Sequence, residues 1–549
     1  MICLHAASAI VLPAAVDRAS RIFKADVMPA DKQDSRSMEP RQQRISNHMR
    51  AATGPVENVS LWTILLLAAF VAFAFQGSRH LWDPDEGRYT NVAHEMLTLD
   101  DWLVPRLHPE RPHYTKPPMT YWAIAASFAV FGNNEWAARL PNAIAFVLTG
   151  LLALGIARRL GLISPALAAC CWITMWGPVA AANVVTTDTL LAMFETLAVF
   201  GFVASGIVEP GAEPRRKGIR LMWLGFGLAF LTKGPPGLLP LAAIVVFVLW
   251  RRRSLLRALF DPLGLALFVP VGLGWYGLVI RHSPDLLDYF LYHETIGRVA
   301  TGAHHRNAGW SGWLTVYPVT LVFGSLPWII VATLGWWSQR KVAKVAGENA
   351  ADQRRFLFLW IALPLTVFSI AQSRLPLYVL PLFVPLALLL APAVASLIGT
   401  RRGIGIAVTL AALVAVGIKA GGAHVSSERD DFVLAAELRN SADFSDIEEI
   451  VFIDVPARYG LRHYLGINVE EATSTPTIRE KDGYSPPEPV CAELASPEHK
   501  LWLGRTKRLG EIETSFAQCK HRLENIGTVR KWTLLRSLPA EEPDAPGSG

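Results

Sequence analysis

Lys116–Gly132 reads KPPMTYWAIAASFAVFG, and whether this stretch crosses a bilayer decides the topology of everything around it. Two prolines open it, and the apolar run that follows, 118–132, is short of the roughly 20 residues a spanning helix needs. Convincing spans lie elsewhere, at 61–77, 137–157, 162–182, 187–207, 262–280, 313–337, 376–397 and 403–420, with shorter ones at 219–231, 236–250 and 356–371. Between them sit basic loops: Arg158-Arg159, Arg215-Arg216-Lys217, Arg251-Arg252-Arg253, Arg340-Lys341 with Arg354-Arg355, and Arg401-Arg402. Lys and Arg accumulate in cytoplasmic loops. All five clusters can be cytoplasmic only if 118–132 does not cross, but lies as a juxtamembrane or re-entrant helix. The spacing then predicts an all-α polytopic membrane protein with about eleven crossings, within a range of about 11–13.

Composition agrees with lipid as the main solvent. Of 549 residues, 52% are hydrophobic and 18% charged, against about 25% charged in soluble domains. The 18 Trp suit membrane–water boundaries. The net charge of +6 resides in short loops, which reads as a topology signal and not as a nucleic-acid surface. Residues 1–60 read as a disordered tail without the basic opening of a cleaved signal peptide, and Met38 or Met49 is an alternative start. Residues 61–423 form the expected membrane domain, with 78–136 as its first outer loop. Residues 424–539 turn to the composition of a small soluble α/β domain: Asp431–Arg439 has helical spacing, Ile450–Ile453 reads as a buried strand, and Trp502 and Trp532 offer core. The last ten residues, 540–549, read as a polar tail. Cys491 and Cys519 can pair if this domain faces an oxidising compartment.

The same topology puts the unusual polar residues on one face, opposite the arginines. The first outer loop begins Trp82-Asp83-Pro84-Asp85-Glu86-Gly87-Arg88-Tyr89, and ionisable groups at the membrane edge are functional candidates. Asp85 can also be a helix cap, with Val92, Met96 and Leu97 facing lipid. Lys116 is a point charge suited to a phosphate, or a snorkelling lysine. Asp188 begins a span, where a capping role is the bland alternative. Tyr289, Tyr292, His293, Glu294 and Arg298 crowd the loop after Ile280, with His304-His305 beyond. A divalent metal on His293 with His304 or His305 is conceivable, although the spacing matches no strong ligand pattern. Lys233, Arg374 and Tyr378 stand at two further outer turns.

These motifs resemble a known family. DPDEGRYTNVAHEMLTLDDWLVPRL…YTKPPMTYW within Leu81–Trp122, with Thr186–Phe194, Thr232–Pro236, Asp288–Arg298, Gly324–Trp328 and Leu375–Pro381, is similar to the bacterial aminoarabinose transferases that modify lipid A. Those enzymes stand with the protein O-mannosyltransferases among the C-type membrane glycosyltransferases. The resemblance implies a helical bundle with juxtamembrane helices over the active site and a periplasmic C-terminal domain. It implies Asp85 as the catalytic aspartate, with Glu86, Arg88 and Tyr89 beside it, and Asp188 as a second functional carboxylate. Lys116 and Arg298 would hold the polyprenyl phosphate of the donor, supported by Arg88, while His293 and Tyr378 would line the pocket with Lys233 and Arg374. Two places depart from the family: His113 stands where Tyr is common, and Thr115 where an acid directly precedes the Lys.

The expected activity is inverting transfer of a sugar from a polyprenyl-phosphate carrier to lipid A, its core or another envelope acceptor, at the periplasmic face of the bacterial inner membrane. No cofactor is required by this chemistry, and the partners are the lipid-linked donor, the acceptor and membrane lipids. A sugar nucleotide does not fit, because the site faces away from the cytoplasm and no Gly-rich phosphate loop lies inside. Alternative readings are a protein O-mannosyltransferase or O-antigen ligase and, more distantly, a transporter. A transporter should show repeated halves, and none is visible.

Overall fold

The computed structural model describes residues 59–297, 307, 309–339, 348–474 and 486–540. The chain enters the bundle through α1 (Leu61–Phe73) and leaves it for α2 (Asp85–Thr98), a small hairpin of β1 (Arg106–His108) and β2 (Arg111–Pro112), and α3 (Met119–Phe131). It then returns through α4 (Glu135–Arg159), the bent pair α5 (Pro165–Thr174) and α6 (Trp176–Ala182), α7 (Asp188–Ala204), α8 (Arg216–Lys233) and α9 (Leu239–Arg251). A long helix, α10 (Pro262–His282), leads to a wide-wound segment over Tyr289–Ile296. After α11 (Gly309–Thr315), α12 (Tyr317–Gly324) and α13 (Trp328–Gln339) come α14 (Glu348–Ile370), α15 (Phe383–Ile398) and α16 (Arg401–Gly422). Among the described residues, five helices are long and apolar enough to cross a membrane, and seven if each of two sharply bent pairs is one span. Their outward faces carry large apolar side chains such as Trp62, Phe70, Ile330 and Phe358, as lipid-facing surfaces do.

α3 explains why the Lys116–Gly132 stretch is short. Its 13 residues rise only about 20 Å, too little for a hydrocarbon core of about 30 Å. Tyr121, Ile124, Ala125 and Phe128 are instead buried in a core shared with α2 and the C-terminal domain. In α2, Val92 and Met96 point into that same core, correcting the expectation that they face lipid. The soluble domain offers them a dry partner, so the amphipathic face has no need of the bilayer.

The C-terminal domain opens with α17 (Asp431–Ser441), capped by Asp430, whose carboxylate accepts from the Phe432 and Val433 amides. β3 (Glu449–Ile453), α18 (Gly460–Leu465), β4 (Asn468–Thr473), β5 (Glu488–Pro489), β6 (Lys500–Arg505), α19 (Leu509–Gln518), β7 (His521–Val529) and β8 (Trp532–Pro539) follow. They form one six-stranded sheet in the order β5-β4-β3-β6-β8-β7. β3, β4, β5 and β6 run parallel, and β8 and β7 complete the sheet antiparallel. β3 is covered on both faces: Ile450 and Phe452 join the core shared with α2 and α3, while Val451 and Ile453 pack under Trp502 and Phe516. Burial on both sides is why this strand reads as a continuous apolar run. Cys491 and Cys519 are disulfide-bonded.

Candidate active site

The site begins with the way α7 crosses α8. A Cβ on Gly201 would lie 2.4 Å from the Met222 amide nitrogen, and one on Gly218 would lie 2.5 Å from that of Ser205. Only glycine lets the two backbones approach this closely, the usual solution for helices in lipid. Their outer ends then coincide. Lys233 Nζ, closing α8, donates to Asp188 Oδ1 at 2.5 Å, opening α7. Asp188 is therefore a paired carboxylate at the first position of α7, with Thr187 in the cap position before it. Lys233 also lies 4.2 Å from the ring centre of Tyr378, a cation–π contact that ties in the turn before α15.

α2 supplies the second half. Asp85 is its first residue, with Pro84 in the cap position before it, and one of its oxygens accepts from Arg88 Nη2 at 2.6 Å, one turn on. Arg88 lies over the Tyr89 ring, and Tyr89 packs on Tyr121 of α3 at 5.4 Å. The Tyr89 hydroxyl feels the charges of Arg88, Asp85 and Asp188, so the two halves belong to one polar patch. Burial, reinforced by the cations Arg88, Lys116 and Arg111, holds the His113 imidazole well below its ordinary range, which makes it neutral at pH 7. It meets Thr115 Oγ1 at 2.7 Å.

Lys116 faces the segment after α10. Its ammonium donates to the Thr115 carbonyl at 2.7 Å and lies 3.9 Å from Glu294 Oε2. Tyr289 Oη donates to Glu294 at 3.2 Å, and the Tyr289 ring stacks on His293. Thus Asp85, Arg88, Tyr89, Lys116, Asp188, Lys233, His293 and Tyr378 come from sequence-distant places to one end of the bundle. Arg298, His304 and His305 lie outside the described residues. Among the described residues, no three His, Cys, Asp or Glu side chains are grouped to hold a metal ion.

Two expected site residues have other work. Glu86, grouped with the catalytic carboxylates, is 1% exposed and faces away from Asp85. Its oxygens take Arg139 Nε at 3.0 Å, Arg79 Nη2 at 2.7 Å and the amides of Trp82 at 3.0 Å and Val185 at 3.1 Å. Those bonds occupy its lone pairs, so it anchors the loop. Arg374, expected in the pocket, donates to the carbonyls of Asn307, Gly309 and Ser369 and braces that turn. Two participants escaped the sequence reading. Arg139, fully buried in α4, was read as part of an apolar span. Glu195, two turns inside α7, is buried and feels Lys233 and Asp188. An ionisable residue within a span is itself the signal that finds both. Glu294 was visible only as one polar loop residue among several.

Long apolar helices, short helices beside them and a charged end of the bundle next to a sheet domain match the fold that the resemblance implies. A crystal structure of ArnT from Cupriavidus metallidurans bound to undecaprenyl phosphate shares this fold, with a TM-score of 0.64 over 86% of this chain and 97% of that one, at 20% identity. The family model described as dolichyl-phosphate-mannose-protein mannosyltransferase matches residues 115–275. Among curated proteins, the undecaprenyl phosphate-alpha-4-amino-4-deoxy-L-arabinose arabinosyl transferase 2 of Pseudomonas fluorescens is 32% identical over 351 residues, 62% of this chain and 61% of that protein. The corresponding transferase of Edwardsiella ictaluri is 32% identical over 329 residues, 58% and 57% of the two chains. The chain thus spans about three fifths of the length of the curated relatives it matches. The curated relatives match the resemblance to aminoarabinose transferases drawn from the motifs, and the family model matches that to the protein O-mannosyltransferases.

Proposed function

We propose that this protein is a membrane glycosyltransferase that moves a sugar, 4-amino-4-deoxy-arabinose by likeness to its relatives, from a polyprenyl-phosphate carrier to lipid A or its core. The observation that carries this reading is the convergence of Lys116, Arg88 and Asp85 on one end of the bundle, beside the Asp188–Lys233 pair. Lys116, with Arg298 by resemblance, binds the donor phosphate and stabilises the charge it gains as it leaves. The C1–O bond to phosphate breaks, the acceptor oxygen bonds C1 from the opposite face, and the anomeric centre inverts. A phosphate acceptor is already anionic, so Asp85, oriented by Arg88, needs only to place it. A hydroxyl acceptor surrenders its proton to Asp85 as general base. Asp188, fixed by Lys233, hydrogen-bonds sugar or acceptor.

The site is placed on the periplasmic face of the inner membrane. The arginine-rich turns support this: Arg251, Arg252 and Arg355 all bind Asp352 at the other end of the bundle. The disulfide in the domain beside the site supports it too, since such bonds persist in oxidising compartments.

The test is mass spectrometry of lipid A from strains with and without the gene, paired with transfer assays of purified Asp85→Asn and Lys116→Ala variants. An aminoarabinose adduct present only with the gene, and roughly 100-fold or greater losses in both variants, are expected. Wild-type transfer by both variants would overturn the assignment. Because the matching family model is one of protein mannosyltransferases, the assay includes a polyprenyl-phosphate-mannose donor with a peptide acceptor, where no transfer is expected.

A further inference from the structure

The loop carrying Asp85 does not stand alone, because the C-terminal domain grips it. The Asp83 amide donates to the Arg429 carbonyl at 2.9 Å, the Asp431 amide to the Leu81 carbonyl at 3.2 Å, and the Leu81 amide to Tyr464 Oη at 2.8 Å. Trp82 and Asp430 form an antiparallel bridge, and His80 Nδ1 lies 3.1 Å from Asp430 Oδ2. Within this grip two carboxylates share one guanidinium. Arg458, on the connection from β3 to α18, donates through Nε to Asp431 Oδ1 at 2.7 Å, with Nη2 2.6 Å from the same oxygen, and its Nε lies 3.6 Å from Asp83 Oδ2. Its Nη1 donates to the Glu428 carbonyl. Asp83 Oδ1 and Asp431 Oδ2 are buried and make no hydrogen bond. A buried, under-satisfied ion cluster is a costly way to join two surfaces, and apolar residues of the same size do as well or better where adhesion is the only task.

We propose that Arg458 is a positioning residue: through Asp83 it holds the acid loop in the geometry Asp85 needs, making the C-terminal domain part of the catalytic assembly. The inference rests on the glycosyltransferase reading for its kinetic consequence, though not for the grip itself. With two carboxylates to one cation, the cluster is neutral only while one carboxyl keeps its proton. Burial, opposed by Arg458, pushes Asp83 up to about 6 and Asp431 up to about 8. The other charges facing them are Asp85, Arg88 and Arg429 around Asp83, and Asp430 beside Asp431. Raised carboxyl values mean that the assembled state binds more protons than the separated one. The grip is therefore strongest at acid pH and weakens as pH rises through about 6 to about 8.

The experiment uses the full chain in lipid nanodiscs, with amide exchange of residues 81–90 and 429–434 followed between pH 5.5 and 9 alongside transfer kinetics. Arg458→Gln should speed exchange of the Trp82–Glu86 amides and lower kcat, each by roughly tenfold, with the donor KM within about twofold. Adding Asp431→Asn to Arg458→Gln should restore most of both, because it removes one of the two carboxyl groups left facing each other without the cation. A purely structural arginine would show no such rescue. Corrected for the base-catalysed intrinsic rate, protection of these amides in the wild type should be lower at pH 9 than at pH 5.5, and the double variant should lose that difference. Unchanged exchange in Arg458→Gln, or a double variant no better than the single one, would overturn the proposal. Absence of any transfer by the wild type would defeat the glycosyltransferase reading alone, since exchange still reports the grip.

Discussion

Asp85 and Glu86 are neighbours with opposite fates, and the reason is helical phase. Consecutive residues on a helix point about 100° apart, so one carboxylate reaches the polar patch while the next reaches Arg139 and Arg79. Removing one member of a buried ion pair leaves the other charge unmatched, at a typical cost of about 3–5 kcal/mol. Glu86→Gln should therefore lower the thermal midpoint of the detergent-solubilised protein and abolish activity through misfolding. Asp85→Asn, at a half-exposed side chain, should leave the midpoint within about 2 °C while removing transfer. Equal midpoints in the two variants would contradict the division of labour. The sequence alone set Glu86 with Asp85 among the catalytic carboxylates because the partner that separates them, Arg139, stands 53 residues from Glu86. Glu195 was missed for a simpler reason: an apolar run was scanned for its length and not for its exceptions.

Elements were more legible than their partners. The helical, apolar character of the bundle and the short α3 could be read because lipid imposes a length on any helix that crosses it. The eleven expected crossings, however, stand against five long apolar helices, or seven with the bent pairs, among the described residues. What α2 packs against could not be read, since an amphipathic stripe does not say whether lipid or protein will cover it. The answer depends on a contact made across hundreds of residues. At Gly87 a Cβ would lie 2.5 Å from the Gly460 amide nitrogen and 3.2 Å from Asp431 Oδ2, so α2 and α18 meet backbone to backbone. Gly87→Ala must push them apart, since neither backbone can yield cheaply. The expected result is a loss of about 1–3 kcal/mol, typical of overpacking. Faster amide exchange in 81–90 should accompany it, with the helices of the bundle unaffected. An unperturbed Gly87→Ala protein would mean that the two helices do not dock this way. The disulfide makes a separate claim on the sheet domain. It closes a 28-residue separation, for which chain entropy suggests a contribution of roughly 3–4 kcal/mol. Dithiothreitol should lower the midpoint of the domain's unfolding, and Cys491→Ser should do the same without reductant.

At the scale of the molecule, charge is sorted between two ends. Around Asp352, Arg251, Arg252 and Arg355 form a dense cluster, and Arg252 also reaches the Val208 carbonyl, tying separate turns together. At the other end, carboxylates, cations and tyrosines meet under the sheet domain. Only one orientation satisfies the preference for cytoplasmic arginine and the survival of the Cys491–Cys519 bond together: arginines inside, acid loop outside. Solvent-accessible cysteines decide it. In a Cys3→Ser background the native thiols are silent, because Cys170 and Cys171 are buried and Cys491 and Cys519 are bonded to each other. A membrane-impermeant maleimide should label Glu110→Cys, at the exposed tip of the β1–β2 hairpin, in intact spheroplasts. Arg401→Cys, at the exposed start of α16, should label only after lysis. The reverse pattern would put the site in a reducing compartment with sugar nucleotides at hand, and a lipid-linked donor would lose its rationale. Labelling of both positions in intact spheroplasts would mean that the number of crossings between residues 110 and 401 is even, against the odd number that arginines and acid loop on opposite faces require.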